Sequence, residues 1–361
     1  MKPSKYIISG GGTGGHIYPA IAIADELKAQ DPNAQIVFVG AYGKMEMEKV
    51  PQAGYKIHGL WISGLQRKQL WRNMLFPLKL CISLIQSLLI WLKYRPDVLI
   101  GTGGFASGPM LFIGNLLGSK TLLQEQNSYP GITNKLLAKK ANAIAVAYPG
   151  MERFFPKGKI IYTGNPLRRS LLQIEGKKDQ ALAHFGFSGN QKILVILGGS
   201  LGAQRINELV ASQLEFFSGL DLDVVWQCGK LYYGRYQHLA TDRIKIFPFI
   251  KEMNYLYSVA DIIISRAGAA SVSELCLVGK TTILIPSPNV AENHQFHNAN
   301  ALVKQNAAIL IEEKDLDQSF QTVFKAVIKR PKGQLDIENN IRTMAKPEAT
   351  KEIIKMINKL M

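Results

Sequence analysis

Three glycine-rich segments, each beginning where an apolar run ends, hold the residues of this chain best able to do chemistry. The first runs from Gly10 to His16 and has the spacing GxGxxG at Gly10, Gly12 and Gly15. Such a loop offers backbone N–H groups at the start of a helix, which suits an anionic diphosphate or a closely approaching sugar. A dinucleotide site would also need an acid about 20 residues on, at the end of the second strand, to hold a ribose. That strand ends Phe38, Val39, Gly40, Ala41, Tyr42, with no acid, which argues against a nicotinamide dehydrogenase. His16 follows the loop directly, where an imidazole either serves structure or reaches a ligand as a general base.

The second segment, from Gly198 to Gln204, repeats the phosphate-cradle logic, with the Ser200 hydroxyl as an extra donor. It is not a P-loop, because no Gly-Lys-Ser/Thr follows; a plain strand–helix turn is the alternative. The third, from Ser265 to Glu274, again uses small residues that let backbone approach a ligand. Glu274 falls one turn into the following helix, where a carboxylate either accepts both hydroxyls of a ribose or simply complements the helix dipole. Further on, Glu292, Asn293, His294, Gln295, Phe296, His297 and Asn298 form a polar cluster. His294 and His297 lack a third ligand at metal-site spacing, so recognition of sugar hydroxyls by Gln295 is the better reading. The pairs Asp221/Asp223 and Asp315/Asp317 have the DxD form but no partner, and are taken as incidental.

These residues need a scaffold, and the chain provides one. Short apolar runs alternate with helical patterns, the signature of parallel sheets with crossover helices. Strands are expected at 6–9, 35–39, 56–60, 98–100, 121–123, 143–146 and 160–162 in the first half. In the second half they are expected at 193–197, 223–226, 244–246, 262–264, 282–285 and 308–311. Each half opens with strand, glycine turn and helix. Two doubly wound domains facing a central cleft would put these loops at the carboxyl ends of their strands. The expected division is 1–164 and 165–345, with a helix over 346–361 packing near the junction.

The 361 residues and 47% hydrophobic content exclude a disordered or low-complexity chain. Net charge is +16 and is uneven: residues 1–164 carry 19 Lys+Arg and 8 Asp+Glu, the remainder 24 and 19. A basic first half attracts polyanions, either nucleic acid or anionic lipid. Cys81, Cys228 and Cys276 have no paired spacing and read as thiols of a reducing compartment; no signal peptide is evident. The segment 70–92 is apolar, yet Arg72, Asn73, Pro77 and Lys79 interrupt it. An interfacial role fits 61–79 better than a span, with Trp61, Trp71 and Phe76 as anchors among Arg67, Lys68, Arg72 and Lys79. Residues 80–92 are expected in the core.

In series, GGTGGH (11–16) followed by Pro19 and Ala20, GGFASGP (103–109), QEQN (124–127), GNPLR (164–168), GGSLGAQ (198–204), RAGAASVSE (266–274) and NHQFHNA (293–299) cover nearly the whole chain. Together they resemble the peptidoglycan N-acetylglucosaminyltransferase family, which converts lipid I to lipid II. The resemblance implies a GT-B fold of two Rossmann-like domains. The second would bind UDP-N-acetylglucosamine (UDP-GlcNAc), and the first would hold the lipid acceptor at the cytoplasmic face of the inner membrane, as a peripheral protein.

By motif, Glu274 would hold the ribose, with Ala269, Ala270, Ser271, Val272 and Ser273 giving backbone contacts to the nucleotide. Ser200 and Arg168 would address the diphosphate, Gln295 the GlcNAc hydroxyls and the Ile250 backbone the uracil. Thr13, Gly14, Gly15 and Asn127 would close over the sugar, and Gly104 and Ser107 would serve the acceptor. His294 stands where some members have Gln. His16 is the candidate base of an inverting transfer. No metal and no cofactor are expected. Expected partners are UDP-GlcNAc, lipid I, anionic phospholipid and cell-wall synthesis complexes, and not nucleic acid. The nearest rival is another GT-B enzyme, such as a diacylglycerol glycosyltransferase; a non-catalytic basic membrane or nucleic-acid-binding protein is the rival of a different class.

Overall fold

The structure is a computed structural model describing residues 3–64, 73–167, 174–199 and 201–361. It divides into two compact units. One comprises Met1–Leu167 with Pro347–Met361, the other Arg168–Lys346. Among the expected site residues, Arg67, Lys68, Trp71, Arg72, Arg168 and Ser200 lie outside the described residues.

The first unit is built on seven strands: β1 (Lys5–Gly10), β2 (Gln35–Ala41), β3 (Lys56–Leu60), β4 (Val98–Gly103), β5 (Lys120–Glu125), β6 (Ala143–Val146) and β7 (Ile160–Tyr162). They pair in the order β3-β2-β1-β4-β5-β6-β7, all parallel. Successive side chains alternate between the two faces. Tyr6 and Ile8 join Phe38, Ile100 and Leu122 in one core, while Ile7 joins Val39, Leu99 and Leu123 in the other. Helix Gly14–Gln30 covers the first of these with Ile17, Ala20, Ile23, Ala24 and Leu27, a single helical stripe. Helix Ala349–Leu360, expected near the domain junction, contributes Ile353, Ile354, Met356 and Ile357 to that same core. It is an integral part of the first unit.

The second unit has six strands: β8 (Lys192–Leu197), β9 (Leu222–Gln227), β10 (Ile244–Phe247), β11 (Ile262–Ser265), β12 (Thr281–Leu284) and β13 (Ile309–Leu310). Their order is β10-β9-β8-β11-β12-β13, again all parallel. Both sheets therefore reverse direction once, between β1 and β4 and between β8 and β11. In doubly wound sheets, ligands bind beyond the carboxyl ends of the strands at that switch point. Both units have the Rossmann-like architecture expected from the sequence.

One expectation is corrected. Residues 80–92 fall in helix Phe76–Tyr94, and that helix is not a core helix: its fully buried side chains are Ser83 and Ser87. Their hydroxyls donate to Leu80 O (2.8 Å) and Ser83 O (2.7 Å), so small polar groups let the helix sit close to the sheet without an orphaned donor. Phe76, Leu80, Ile90, Trp91 and Tyr94 pack partly against the core, whereas Leu78, Ile85, Leu89 and Leu92 face outward. Phe76, expected as a membrane anchor, is thus partly spent on packing. Trp61 is exposed, its backbone N–H donates to Gln86 Oε1 (2.8 Å), and Lys79 Nζ lies 5.8 Å from its ring centroid.

Candidate active site

At the switch point of the first sheet, the loops after β1, β4 and β5 converge on His16. Its ring Nδ1 lies 2.9 Å from Gln126 Oε1. The orientation of that amide is set by its other end. Gln126 Nε2 donates towards Thr102 O (2.7 Å) and Gln124 O (3.1 Å), and it also faces Gln124 Oε1. An NH₂ group surrounded by oxygens must turn its own oxygen to His16, so the imidazole carries its proton on Nδ1. Nε2 is then the basic nitrogen. Burial pushes the His16 pKa below its ordinary value of 6.5, against the opposing pull of Gln126, Thr102 and Glu46. A neutral imidazole with its lone pair on Nε2 is the form a general base requires.

The glycines of the β4 loop make room for this ring. A Cβ on Gly103 would lie 3.1 Å from His16 Cε1 and Nδ1, and one on Gly104 would meet His16 Cδ2 and Gly11 O. Both have positive φ, +95° and +80°. Ser107, an expected acceptor contact, is buried and donates to Gly104 O (2.9 Å), closing the turn that shapes this wall. Thr13 is exposed and Gly14 and Gly15 are partly so, leaving the helix start open to a ligand.

Asn127 is also partly exposed, and it is held from behind by Glu125, which the sequence reading did not single out. One Glu125 oxygen accepts from Asn127 N (3.0 Å) and Nδ2 (3.3 Å), the other from Asn134 Nδ2 (2.9 Å) and Gly131 N (3.3 Å). Burial raises the Glu125 pKa, and these donors offset part of that rise. Asn165, from the GNPLR segment, accepts from Gln124 Nε2 (2.9 Å) and donates to Gln126 O (3.1 Å). The QEQN segment is therefore a buried polar hub carrying both His16 and Asn127.

In the second unit, the loops after β8 and β11 flank the switch point. Helices Gln204–Ser212 and Ala269–Val278 begin there without an acid of their own in the first turn, and a helix N-terminus is the positive end of its dipole. Gln227 ties two expected contacts together: its Nε2 donates to Gly199 O (3.1 Å) and its Oε1 accepts from Ile250 N (2.8 Å). A nucleobase at Ile250 would have to use the carbonyl. Ala270, Ser271, Ser273 and Glu274 are partly exposed along the Ala269–Val278 helix, while Ala269 and Val272 are buried, and Val272 N already donates to Gly268 O (2.9 Å), so the expected amide contact from Val272 is not available.

Glu274 Oε2 accepts from Tyr257 OH at 2.8 Å, a partner that spacing alone did not suggest. Beyond β12, Gln295 Oε1 accepts from Ser287 N (2.9 Å), which turns its amide nitrogen away from that bond. Glu292 and Asn293 just before it have φ +55° and +48°, a left-handed pair that non-glycine residues adopt at some cost. Asp221 and Asp223 pair with Arg243, and Asp317 pairs with Arg205, so these DxD acids serve ion pairs.

Comparison with known proteins identifies the family. Residues 6–146 match the glycosyltransferase family 28 N-terminal domain and residues 193–357 match the family 28 C-terminal domain. The UDP-N-acetylglucosamine–N-acetylmuramyl-(pentapeptide) pyrophosphoryl-undecaprenol N-acetylglucosamine transferase of Flavobacterium psychrophilum is 54% identical, over 100% of this chain and 98% of its own. The protein of the same name from Christiangramia forsetii is 50% identical over 99% and 97%. Among solved structures, Acinetobacter baumannii MurG superposes with a TM-score of 0.79 at 26% identity, covering 99% of this chain and 100% of that one. With both domain models matched and relatives similar from end to end, this chain belongs to glycosyltransferase family 28.

Proposed function

We propose that the protein is the inverting transferase that moves GlcNAc from UDP-GlcNAc to the C4 hydroxyl of lipid-linked N-acetylmuramyl-pentapeptide, converting lipid I to lipid II. The observation that carries the acceptor and donor identity is full-length similarity to enzymes named for that reaction. The chemistry follows from His16. The acceptor oxygen attacks the anomeric carbon, and its proton passes to His16 Nε2. The bond from that carbon to the phosphate oxygen breaks, with its electron pair leaving on UDP. The helix starts at Gln204 and Ala269 are suited to the charge that develops on the diphosphate, with Arg168 and Ser200 assigned there by motif. Glu274 takes the ribose, Gln295 the sugar hydroxyls, and Asn127 with Thr13 to Gly15 the sugar from the first unit.

The same proposal places the first unit on the cytoplasmic face of the membrane as a peripheral protein. Helix Phe76–Tyr94 has the length and apolarity to cross a bilayer, with a mean hydropathy of 1.5 over 18 residues. One face is nevertheless docked on the unit: Trp91 Nε1 donates to Ser119 Oγ (2.7 Å) and His58 Nε2 meets Tyr94 OH (2.8 Å). A helix held this way is better placed to lie in the interface with its outer apolar stripe towards lipid. The neighbouring helix Ser107–Leu116 extends that surface with Phe112 and Leu116, and Lys140 stands 5.8 Å from the Phe112 ring.

Incubation with radiolabelled UDP-GlcNAc and either a lipid I analogue or diacylglycerol, with and without EDTA, tests the assignment. Label is expected on the lipid I analogue. Label on diacylglycerol alone would overturn it.

A further inference from the structure

The end of β2 has no acid in sequence, yet the structure supplies one beneath the first glycine loop. Glu46 lies five residues beyond Ala41 and its side chain is fully buried. One carboxylate oxygen accepts from Gly12 N at 2.9 Å and the other from Ala41 N at 3.0 Å. A side chain at Gly11 or Gly40 would collide with Glu46, so two glycines are cleared for it. Gly12 itself has φ +87°. On its other side the loop is held by Thr102 Oγ1, which donates to His16 O (2.9 Å), and by Gly11 N, which donates to Gly103 O (3.4 Å).

We infer that Glu46 is the positioning residue of the first glycine loop, and that it sets this loop for an uncharged sugar rather than a diphosphate. The inference deepens the proposed function and rests on its placing of His16 beside the transferred sugar. Two features of the contact carry it. A carboxylate accepts with both oxygens, so it can hold Gly12 and the end of β2 at once; a glutamine of the same shape can serve only one of the two amides. The Gly12 amide is therefore already occupied, and a fixed negative group lies under the loop. A diphosphate placed there would meet like charge, whereas sugar hydroxyls would not. The helices starting at Gln204 and Ala269 have no acid of their own in the first turn, and the diphosphate is assigned to them.

The test compares Glu46→Gln, His16→Ala and the double variant in GlcNAc transfer to a soluble lipid I analogue, with UDP affinity and Tm measured beside kcat. A misplaced reacting group costs up to about a hundredfold, so Glu46→Gln is expected to lower kcat at least tenfold. Its Tm and its affinity for UDP, which lacks the sugar, should stay close to those of the parent, and the double variant should be little slower than His16→Ala alone.

Parent-like kcat in Glu46→Gln beside a slow His16→Ala would overturn the role of Glu46 and leave the base intact. The reverse pattern would remove His16 as base and leave Glu46 acting through the loop amides. A parallel fall in kcat, UDP affinity and Tm would reduce Glu46 to a structural residue. Should Glu46→Gln not fold, hydrogen exchange at the Gly12 amide of the parent protein decides: slow exchange supports the contact, and rapid exchange overturns it.

Discussion

His16 Nδ1 and Gln126 Oε1 lie 2.9 Å apart although 110 residues separate them in the chain, and this contact decides which imidazole nitrogen is left basic. Replacing Gln126 with Leu would free the ring to adopt either tautomer and either orientation. A single hydrogen bond of this kind is worth about 0.5–1.5 kcal/mol, so kcat should fall by roughly three- to tenfold. The KM for UDP-GlcNAc should hardly move, because Gln126 belongs to the first unit's polar hub and not to the expected nucleotide contacts. A rise in donor KM with unchanged kcat would show that this bond does not orient a base.

The lowered pKa of His16 gives a second expectation. Burial is its largest cause, and a base is active when neutral, so depressing the pKa extends activity towards acid. The acidic limb of kcat/KM should therefore be centred below 6.5, the ordinary imidazole value, with activity lost as pH falls through it. His16→Ala should show a low plateau without that limb. A limb centred above 6.5 in the parent protein would contradict a desolvated neutral base.

Tyr257 offers a cleaner test of the second unit. Its hydroxyl donates to Glu274 Oε2, which would pre-orient the carboxylate for a diol. Tyr257→Phe removes one hydrogen bond and keeps the ring, so the KM for UDP-GlcNAc should rise by about three- to tenfold. With a donor whose ribose lacks the 2′ and 3′ hydroxyls, the variant and the parent should have the same KM. A penalty of equal size with both donors would show that Tyr257 acts on stability and not through Glu274.

The scaffold was open to sequence reasoning because its signal is local. Runs such as Ile193 to Leu197, bounded by turns and followed by glycine, announce buried parallel strands, and all thirteen expected strands overlap observed ones. The glycine loops were visible for the same reason. Glu46, Gln126 and Tyr257 were not, because each acts through a contact that exists only after the chain folds. In a dinucleotide site a ribose-binding acid is expected at the end of β2, but Glu46 reaches back from the next helix to a loop 34 residues earlier. Glu125 could have been noticed as an acid at the end of an apolar strand, where burial demands partners. The helix at 76–94 misled in another way. It is apolar on more than one side, so hydropathy could not reveal that Ser83 and Ser87 face inward and Leu78, Ile85, Leu89 and Leu92 outward.

That inversion leads to the last prediction. Ile85 is 58% and Leu89 60% exposed, one turn apart on a face left open among the described residues. Each would bring about 1.5–3 kcal/mol if fully buried in lipid, so Ile85→Glu with Leu89→Glu should weaken binding to anionic vesicles by at least an order of magnitude. UDP-GlcNAc KM with a soluble acceptor should be unchanged, since neither residue is among the expected donor contacts. Electrostatic attraction adds to this, because the first 164 residues carry 19 basic and 8 acidic side chains. Raising ionic strength from about 0.1 to 1 M shortens screening from about 10 to 3 Å, which should loosen vesicle binding more than nucleotide binding. Vesicle binding that survives both the substitutions and the salt would place the membrane contact elsewhere on the protein.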